Sequence, residues 1–281
     1  MANNSNADLF RVEGQVAVIT GAGSGLGRMM AHALASNGAK KVYIIGRRFE
    51  KLQETASGYE NIVPIQGDVT SKDSLQSTAN QIKSETDHIN VLVVNSGSSG
   101  PGMNNIPPDA PLSQLQETLW ASSSDDMNKV YAINNTGAYF TAIAFLNLLS
   151  AGNTSAANPS IQSQIIFTAS LAGYARALST NVPYSTSKAA TLHLVKLLST
   201  GLAKYGIRVN GLAPGIYPSE MTEGMTETPG FNVETIPAGR LGTEEDMRGA
   251  VLFLTSRAGA YANGLVLLSD GGRLGQMPAT Y

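Results

Sequence analysis

Residues 15–36 constrain the fold more than any other stretch. Gln15 to Thr20 (QVAVIT) is a short, β-branched apolar run of the kind that forms a buried strand. It passes directly into Gly21-Ala-Gly-Ser-Gly-Leu-Gly27, and Arg28 to Ser36 then has helical composition up to Gly38. Strand, glycine turn and helix in that order make a phosphate cradle. Backbone N–H groups at a helix N-terminus attract anions, and glycine lets a pyrophosphate approach the chain closely. Gly21, Ser24, Gly25, Leu26 and Gly27 are therefore candidate cofactor residues. The spacing is Gly-x-x-x-Gly-x-Gly rather than Gly-x-Gly-x-x-Gly. The same residues would also serve as a tight strand–helix connection with no ligand.

The rest of the chain repeats the alternation. Strands are expected at 41–45, 61–66, 90–94, 164–167, 207–212 and 265–268, with helices at about 71–86, 112–119, 127–150, 189–205 and 244–256. Thr70 or Ser71 caps the first of these helices and Thr243 the last. No linker interrupts the pattern. It predicts an α/β fold: a single doubly wound domain over 1–281, with a central parallel sheet of six to seven strands flanked by helices on both faces. Residues 1–13 form a short N-terminal tail, 216–235 a partly apolar substrate lid with Met221, Met225 and Phe231, and 273–281 a C-terminal tail. Residues 98–125 are an irregular insertion after a strand. They could wall the ligand site or pack as a surface loop with Trp120 turned inward.

Right-handed crossovers bring the carboxyl ends of all parallel strands to one edge. That edge gathers the glycine turn, Arg47 and Arg48 after the second strand, Asp68 and Val69, Asn95 and Gly97, Ser170, and Pro214-Gly215-Ile216. No acid ends the second strand, where a ribose 2′-hydroxyl is commonly bound, and two guanidiniums follow it. This favours a 2′-phosphate and hence NADP(H), unless both arginines are simply solvated at the start of the next helix. Beyond the fifth strand stand Tyr184 and Lys188, four apart and so on one helix face. An ammonium beside a phenol favours the phenolate and would lower the Tyr pKa towards working pH. Taken alone, the pair is as well explained by two solvated residues.

Other chemistries find little support. The chain has no cysteine, and its three histidines show no metal-ligand spacing. Charged residues make up 14% of the chain and the net charge is −2, with no basic cluster, which argues against nucleic acid or an anionic membrane as partner. No apolar run reaches 18 residues and the first residues lack the pattern of a secretory signal, so the expectation is a cytoplasmic protein. Val130 to Ala175 carries no charge, and a helix apolar on most sides is either central or covered by another subunit.

These motifs in order, Thr20-Gly-x-x-x-Gly25-x-Gly27, Asp68-Val69, Asn95-x-Gly97, Asn134-x-x-Gly137, Ser170, Tyr184-x-x-x-Lys188 and Pro214-Gly215, resemble the short-chain dehydrogenase/reductase family from about Gly14 to Gly272. Ile236-Pro-x-Gly-Arg-Leu-Gly242 through Asp270-Gly-Gly272 is similar to reductases of 3-oxoacyl thioesters, and Pro218 to Thr222 to the rhamnolipid-type ketoacyl reductases. The resemblance implies that Tyr184 is the general acid and that Lys188 lowers its pKa and holds the nicotinamide ribose. It implies that Ser170 hydrogen-bonds the carbonyl and that Asn134 positions a proton-relaying water. It also implies Asp68 at the adenine, Asn95 near the adenine-side ribose and Ser219, where the family usually has Thr, at the nicotinamide amide. A homotetramer or homodimer is implied as well. Val94 and Ser96 depart from the family's Asn-Asn-Ala-Gly pattern, residues 98–125 are longer than usual, and Ser24 is neutral where some NADP-dependent members carry a base. The function expected is an NADPH-dependent reduction of a ketone or other carbonyl. The alternatives are an alcohol dehydrogenase working oxidatively and a cofactor-binding protein with an idle or non-redox site.

Overall fold

The computed structural model describes residues 6–100, 106–107, 109–154, 161–177, 181–224 and 232–280. Seven parallel strands form one sheet: β1 (Val16–Thr20), β2 (Lys41–Gly46), β3 (Ile62–Gln66), β4 (Val91–Val94), β5 (Gln164–Thr168), β6 (Arg208–Pro214) and β7 (Val266–Ser269). Their order is β3-β2-β1-β4-β5-β6-β7. The order reverses direction between β1 and β4, and a parallel sheet of this kind opens a ligand crevice at such a switch point.

Both faces of the sheet are covered, which is why the strands read as continuous apolar runs rather than alternating ones. The two sets of side chains still separate with period 2. Ala17 and Ile19 join Met30 and Leu34 of α1 (Gly25–Ser36) and Met247, Val251 and Leu254 of α9 (Glu244–Thr255). Val16 and Val18 pack on the other side with Ala79 and Ile82 of α3 (Lys72–Glu85) and with Val195 and Leu202 of α8 (Val182–Leu202). Each fully buried Leu, Ile or Val contributes about 1.5–3 kcal/mol. Thr243 caps α9 in a reciprocal capping box with Asp246, and Ser71, rather than Thr70, caps α3.

Three expectations change. The helix expected over 127–150 is not continuous. It is α5 (Ser124–Tyr131), a π-helical turn at Ala132–Gly137, α6 (Ala138–Ala144) and α7 (Leu146–Gly152). The C-terminal stretch is not a free tail: Arg176 N donates to Pro278 O at 2.8 Å, Thr280 N donates to Tyr174 O at 2.8 Å, and Ala279 forms an antiparallel bridge with Ala175. The end of the chain therefore braces the segment that follows Ser170. Trp120 is not packed inward. It ends α4 (Leu112–Trp120), a helix with no buried residue, and is 84% exposed. Residues 225–231 of the expected lid and 101–105 of the insertion lie outside the described residues.

Candidate active site

A cleft of about 510 Å³ runs along the carboxyl edge of the sheet. One end is lined by the glycine turn, Arg47, Arg48, Lys51 and Asp68, the other by Ser170, Tyr184 and Lys188, and Ile133 and Met221 add apolar lining. Pro214, Gly215 and Ser219 line it as well. Its size is that of a site for a cofactor and small substrate, about 300–1,000 Å³.

The cradle end is held by close backbone packing. Gly21 has a positive φ of 68°, and a Cβ there would sit 2.8 Å from Ser96 Cα. A Cβ at Gly27 would press on the Gly21 carbonyl oxygen and lie 2.6 Å from Asn95 Nδ2. Gly27 thus lets α1 start tight against the turn, but it does not face the cleft; neither does Ile216, whose carbonyl accepts from Gly242 N. Asn95 lines the cleft, yet its amide is committed to the turn: Nδ2 donates to Thr20 O and Gly21 O, both at 3.1 Å. Asp68 accepts from Thr70 N and Thr70 Oγ1, and these bonds hold its carboxyl below the usual range. Val69 and Gly97 line the cleft beside Asp68 and Asn95. The glycine turn at the start of α1, with Arg47 and Arg48 beyond it, suits an anionic dinucleotide.

At the other end, Asn181 caps α8 by accepting from Tyr184 N at 3.1 Å, and its Nδ2 donates to Ser99 O. The first turn of α8 is thereby tied to the loop after β4. The Tyr184 hydroxyl hydrogen-bonds Ser170, whose Oγ also accepts from Ala172 N. Lys188 is 4% exposed, and its Nζ donates to Thr168 O at 2.7 Å. Burial without a carboxylate partner pulls the Lys188 ammonium down to about 8. The Tyr184 phenol moves the opposite way to expectation. Burial raises it, the Ser170 hydrogen bond opposes the rise, and Lys188 is aimed at Thr168 O, 5.6 Å from the Tyr184 ring centre. A four-residue spacing brings two side chains together but does not set what each is solvated by; here desolvation outweighs the Ser170 hydrogen bond.

Asn134 sits behind this pair rather than in the cleft. It is 2% exposed in the π-helical turn. Its Oδ1 accepts from Ser98 N at 2.8 Å, and its Nδ2 donates to Ser98 O and Ser187 Oγ, both at 2.9 Å. A Cβ built at Gly97 would lie 3.4 Å from Asn134 Oδ1 and 3.5 Å from Lys188 Nζ, so the two flank one glycine. The sequence reading missed Ser98, Ser99, Thr168 and Ser187 as parts of this network, and Glu220 at the cradle end. Ser98 and Ser99 are where the 98–125 insertion reaches the cleft. The histidines stay out of it: His32 stacks on Tyr59 with ring centres 4.6 Å apart, and His193 is exposed. Among the described residues no cluster of three metal-ligating side chains occurs, and no helix is long and apolar enough to cross a membrane.

Comparison with known proteins agrees with this arrangement. Residues 15–230 match the family model described as short chain dehydrogenase. The chain is 45% identical to short-chain dehydrogenase/reductase PhomF of Diaporthe leptostromiformis, over 98% of this chain and 96% of that one. It is 31% identical to the rhamnolipids biosynthesis 3-oxoacyl-(acyl-carrier-protein) reductase of Pseudomonas aeruginosa, over 94% and 97%. Among solved structures, the Pseudomonas aeruginosa RhlG/NADP active-site complex superposes with a TM-score of 0.82 at 30% identity, covering 95% of this chain and 98% of that one. The seven-stranded parallel sheet, the glycine cradle and the matched relatives make this chain a member of the short-chain dehydrogenase/reductase family, an oxidoreductase.

Proposed function

We propose that the protein is an NADPH-dependent carbonyl reductase. The observation that carries this reading is the continuity of one cleft from the Arg47–Arg48 end to the hydrogen-bonded Ser170–Tyr184 pair. When bound, the cofactor supplies the hydride. Asp68 would hold its adenine, Asn95 would stand by its adenine-side ribose, the glycine turn from Gly21 would take its pyrophosphate, and Pro214, Gly215 and Ser219 would hold its nicotinamide end, with Ile216 behind them. The chain's own residues do the rest. Ser170 donates to the carbonyl oxygen as negative charge develops there, and Tyr184 gives that oxygen its proton. A phenol raised by burial is protonated at neutral pH, which is the state a reduction needs. Lys188, close enough to the reacting end to act through its charge, stabilises the phenolate left behind and holds the nicotinamide ribose. Asn134, its amide committed to Ser98 and Ser187, fixes the wall at Gly97 that separates it from Lys188, and its role in proton relay would run through that wall.

Ile133 and Met221 add apolar lining to the cleft, and the relatives include a 3-oxoacyl reductase, so the substrate class we favour is an uncharged ketone such as a 3-oxoacyl thioester. The test is loss of NADPH absorbance over a panel of 3-oxoacyl thioesters, aliphatic and aromatic ketones and keto-sugar acids. Turnover on neutral ketones with NADPH preferred over NADH is expected. Turnover confined to alcohols with NADP⁺ would favour the oxidative reading, and binding without turnover a non-redox role.

The same reading includes a homo-oligomer. Tyr139 and Ile143 on the uncharged α6 and Leu197 on α8 expose apolar side chains, on the two helices expected to meet another subunit. Light scattering should give a dimer or tetramer mass; a monomer at micromolar concentration would remove this element.

A further inference from the structure

Glu220 stands at the cradle end of the cleft, although it belongs to the segment after β6. Its Oε2 accepts from Arg48 Nη2 at 2.6 Å and from Ser24 Oγ at 3.2 Å. Ser24 is the N-cap of α1, with extended backbone angles, yet its side chain makes no capping hydrogen bond. The hydroxyl that would ordinarily satisfy the helix's own first turn is turned instead to a carboxylate from a residue 196 positions away. The Arg48 hydrogen bond and charge, then the Ser24 hydrogen bond and, least, the charge of Lys51, itself paired with Glu54, hold the Glu220 carboxyl below its usual range.

The segment bearing Glu220 is a strap with a firm base. Tyr217 is 3% exposed, and its hydroxyl shares a 2.6 Å hydrogen bond with Ser269 Oγ. Thr222 Oγ1 donates to Tyr217 O at 2.7 Å and accepts from Ser219 N at 3.0 Å, turning the chain back on itself. The tip, Ser219 to Met221, rests on the glycine turn: a Cβ at Gly25 would lie 3.0 Å from Ser219 Cβ. The strap tip thus lines the cleft at its guanidinium end, where Glu220 meets Arg48 and Ser24.

We propose that the Glu220 carboxylate is an internal anion standing in the 2′-phosphate site made by Arg48 and Ser24, so that NADPH must displace it to bind while NADH need not. The inference rests on the NADPH reading above. A carboxylate and a phosphate bearing about −1.5 to −2 charges cannot share one guanidinium without repulsion. The 2′-phosphate takes Arg48, and the strap tip lifts from the turn as the cofactor seats. Glu220 thereby lowers the affinity for NADPH and couples recognition of its phosphate to the position of the strap. An exposed ion pair is a modest barrier, so the cost is a few-fold in affinity, not orders of magnitude.

The test is nucleotide binding to the intact chain by fluorescence titration, with Glu220→Gln, Arg48→Gln and the double variant. Glu220→Gln should tighten NADPH by about two- to fivefold, change NADH by less than half that factor, and lose its effect in the Arg48→Gln background. Amide hydrogen exchange supplies a second readout that needs no turnover. Adenosine 2′,5′-bisphosphate should speed exchange over residues 219–224, and adenosine 5′-diphosphate should not. Glu220→Gln acting equally on both nucleotides, weakening NADPH, or persisting without Arg48 would overturn the proposal, as would equal exchange with both adenosine phosphates. A wild-type protein that binds neither NADPH nor NADH would overturn the reductase reading itself, and this inference with it.

Discussion

Tyr184→Phe lowers kcat for ketone reduction by about 10²–10⁴-fold, the range for a lost general acid, with NADPH affinity changed little. The aromatic body of the residue is kept, so the half-buried wall it forms survives. What goes is the hydroxyl that Ser170 holds. Without it the carbonyl oxygen gains charge next to Ser170 alone, and the proton must come from water that is not held in place for the transfer. The measurement is single-turnover reduction monitored through NADPH absorbance, alongside a binding titration of the same variant. A variant with full activity would remove Tyr184 from the reaction. One that fails to bind NADPH would show that the hydroxyl serves binding rather than proton transfer.

The second large effect combines activity and stability. Lys188→Met should lower kcat by about 10²-fold, the scale for a single lost electrostatic contact in a preorganised site. The same change should stabilise the nucleotide-free protein near neutral pH. Burial pulls the Lys188 ammonium from 10.5 to about 8. Each unit is about 1.4 kcal/mol, so the penalty at pH 7 is on the order of 3 kcal/mol. Loss of the charged hydrogen bond to Thr168 O takes back roughly 1.5–3 kcal/mol, leaving a net gain between about zero and 1.5 kcal/mol. The sign of the pH dependence follows from linkage. The folded state gives up the Lys188 proton near pH 8 and the unfolded state near 10.5, so between those values the unfolded state binds more protons and stability rises with pH. The penalty is complete below about 8 and gone above 10.5. The Tm difference between Lys188→Met and wild type should therefore be most in the variant's favour at pH 7 and shift steadily towards wild type by pH 10. A difference independent of pH would show that Lys188 is not buried as a charge.

Much of the fold was legible because its signals are local. A β-branched run ending in Gly21 to Gly27 specifies strand, turn and helix within 22 residues, and the later strands repeat that grammar. The seven strands fall within two residues of where the apolar runs place them. What was not legible depends on partners distant in the chain. The π-helical turn has no local signature: Ala132 to Gly137 would sit in an ordinary α-helix, and the widening goes with the three hydrogen bonds Asn134 makes to Ser98 and Ser187. The Tyr184 phenol was misjudged because i,i+4 spacing reports proximity, whereas its pKa is governed by burial that packing creates. Glu220 was passed over because its partners, Ser24 and Arg48, are 196 and 172 residues away. The C-terminal bracing at Ala279 joins two stretches with no strand-like composition, 104 positions apart by their numbers 175 and 279.

The central claim is that this cleft passes a hydride from NADPH to a carbonyl carbon and a proton from Tyr184 to its oxygen. Deuterium transfer tests it most directly. NADPH deuterated at both positions of nicotinamide C4 is incubated with the protein and the best ketone of the panel, and the alcohol is analysed by mass spectrometry and NMR. One deuterium on the carbinol carbon, absent from the hydroxyl and formed at least a hundredfold more slowly by Tyr184→Phe, is the predicted result. An alcohol without deuterium at that carbon, or labelling at an equal rate in the Tyr184→Phe variant, would contradict it.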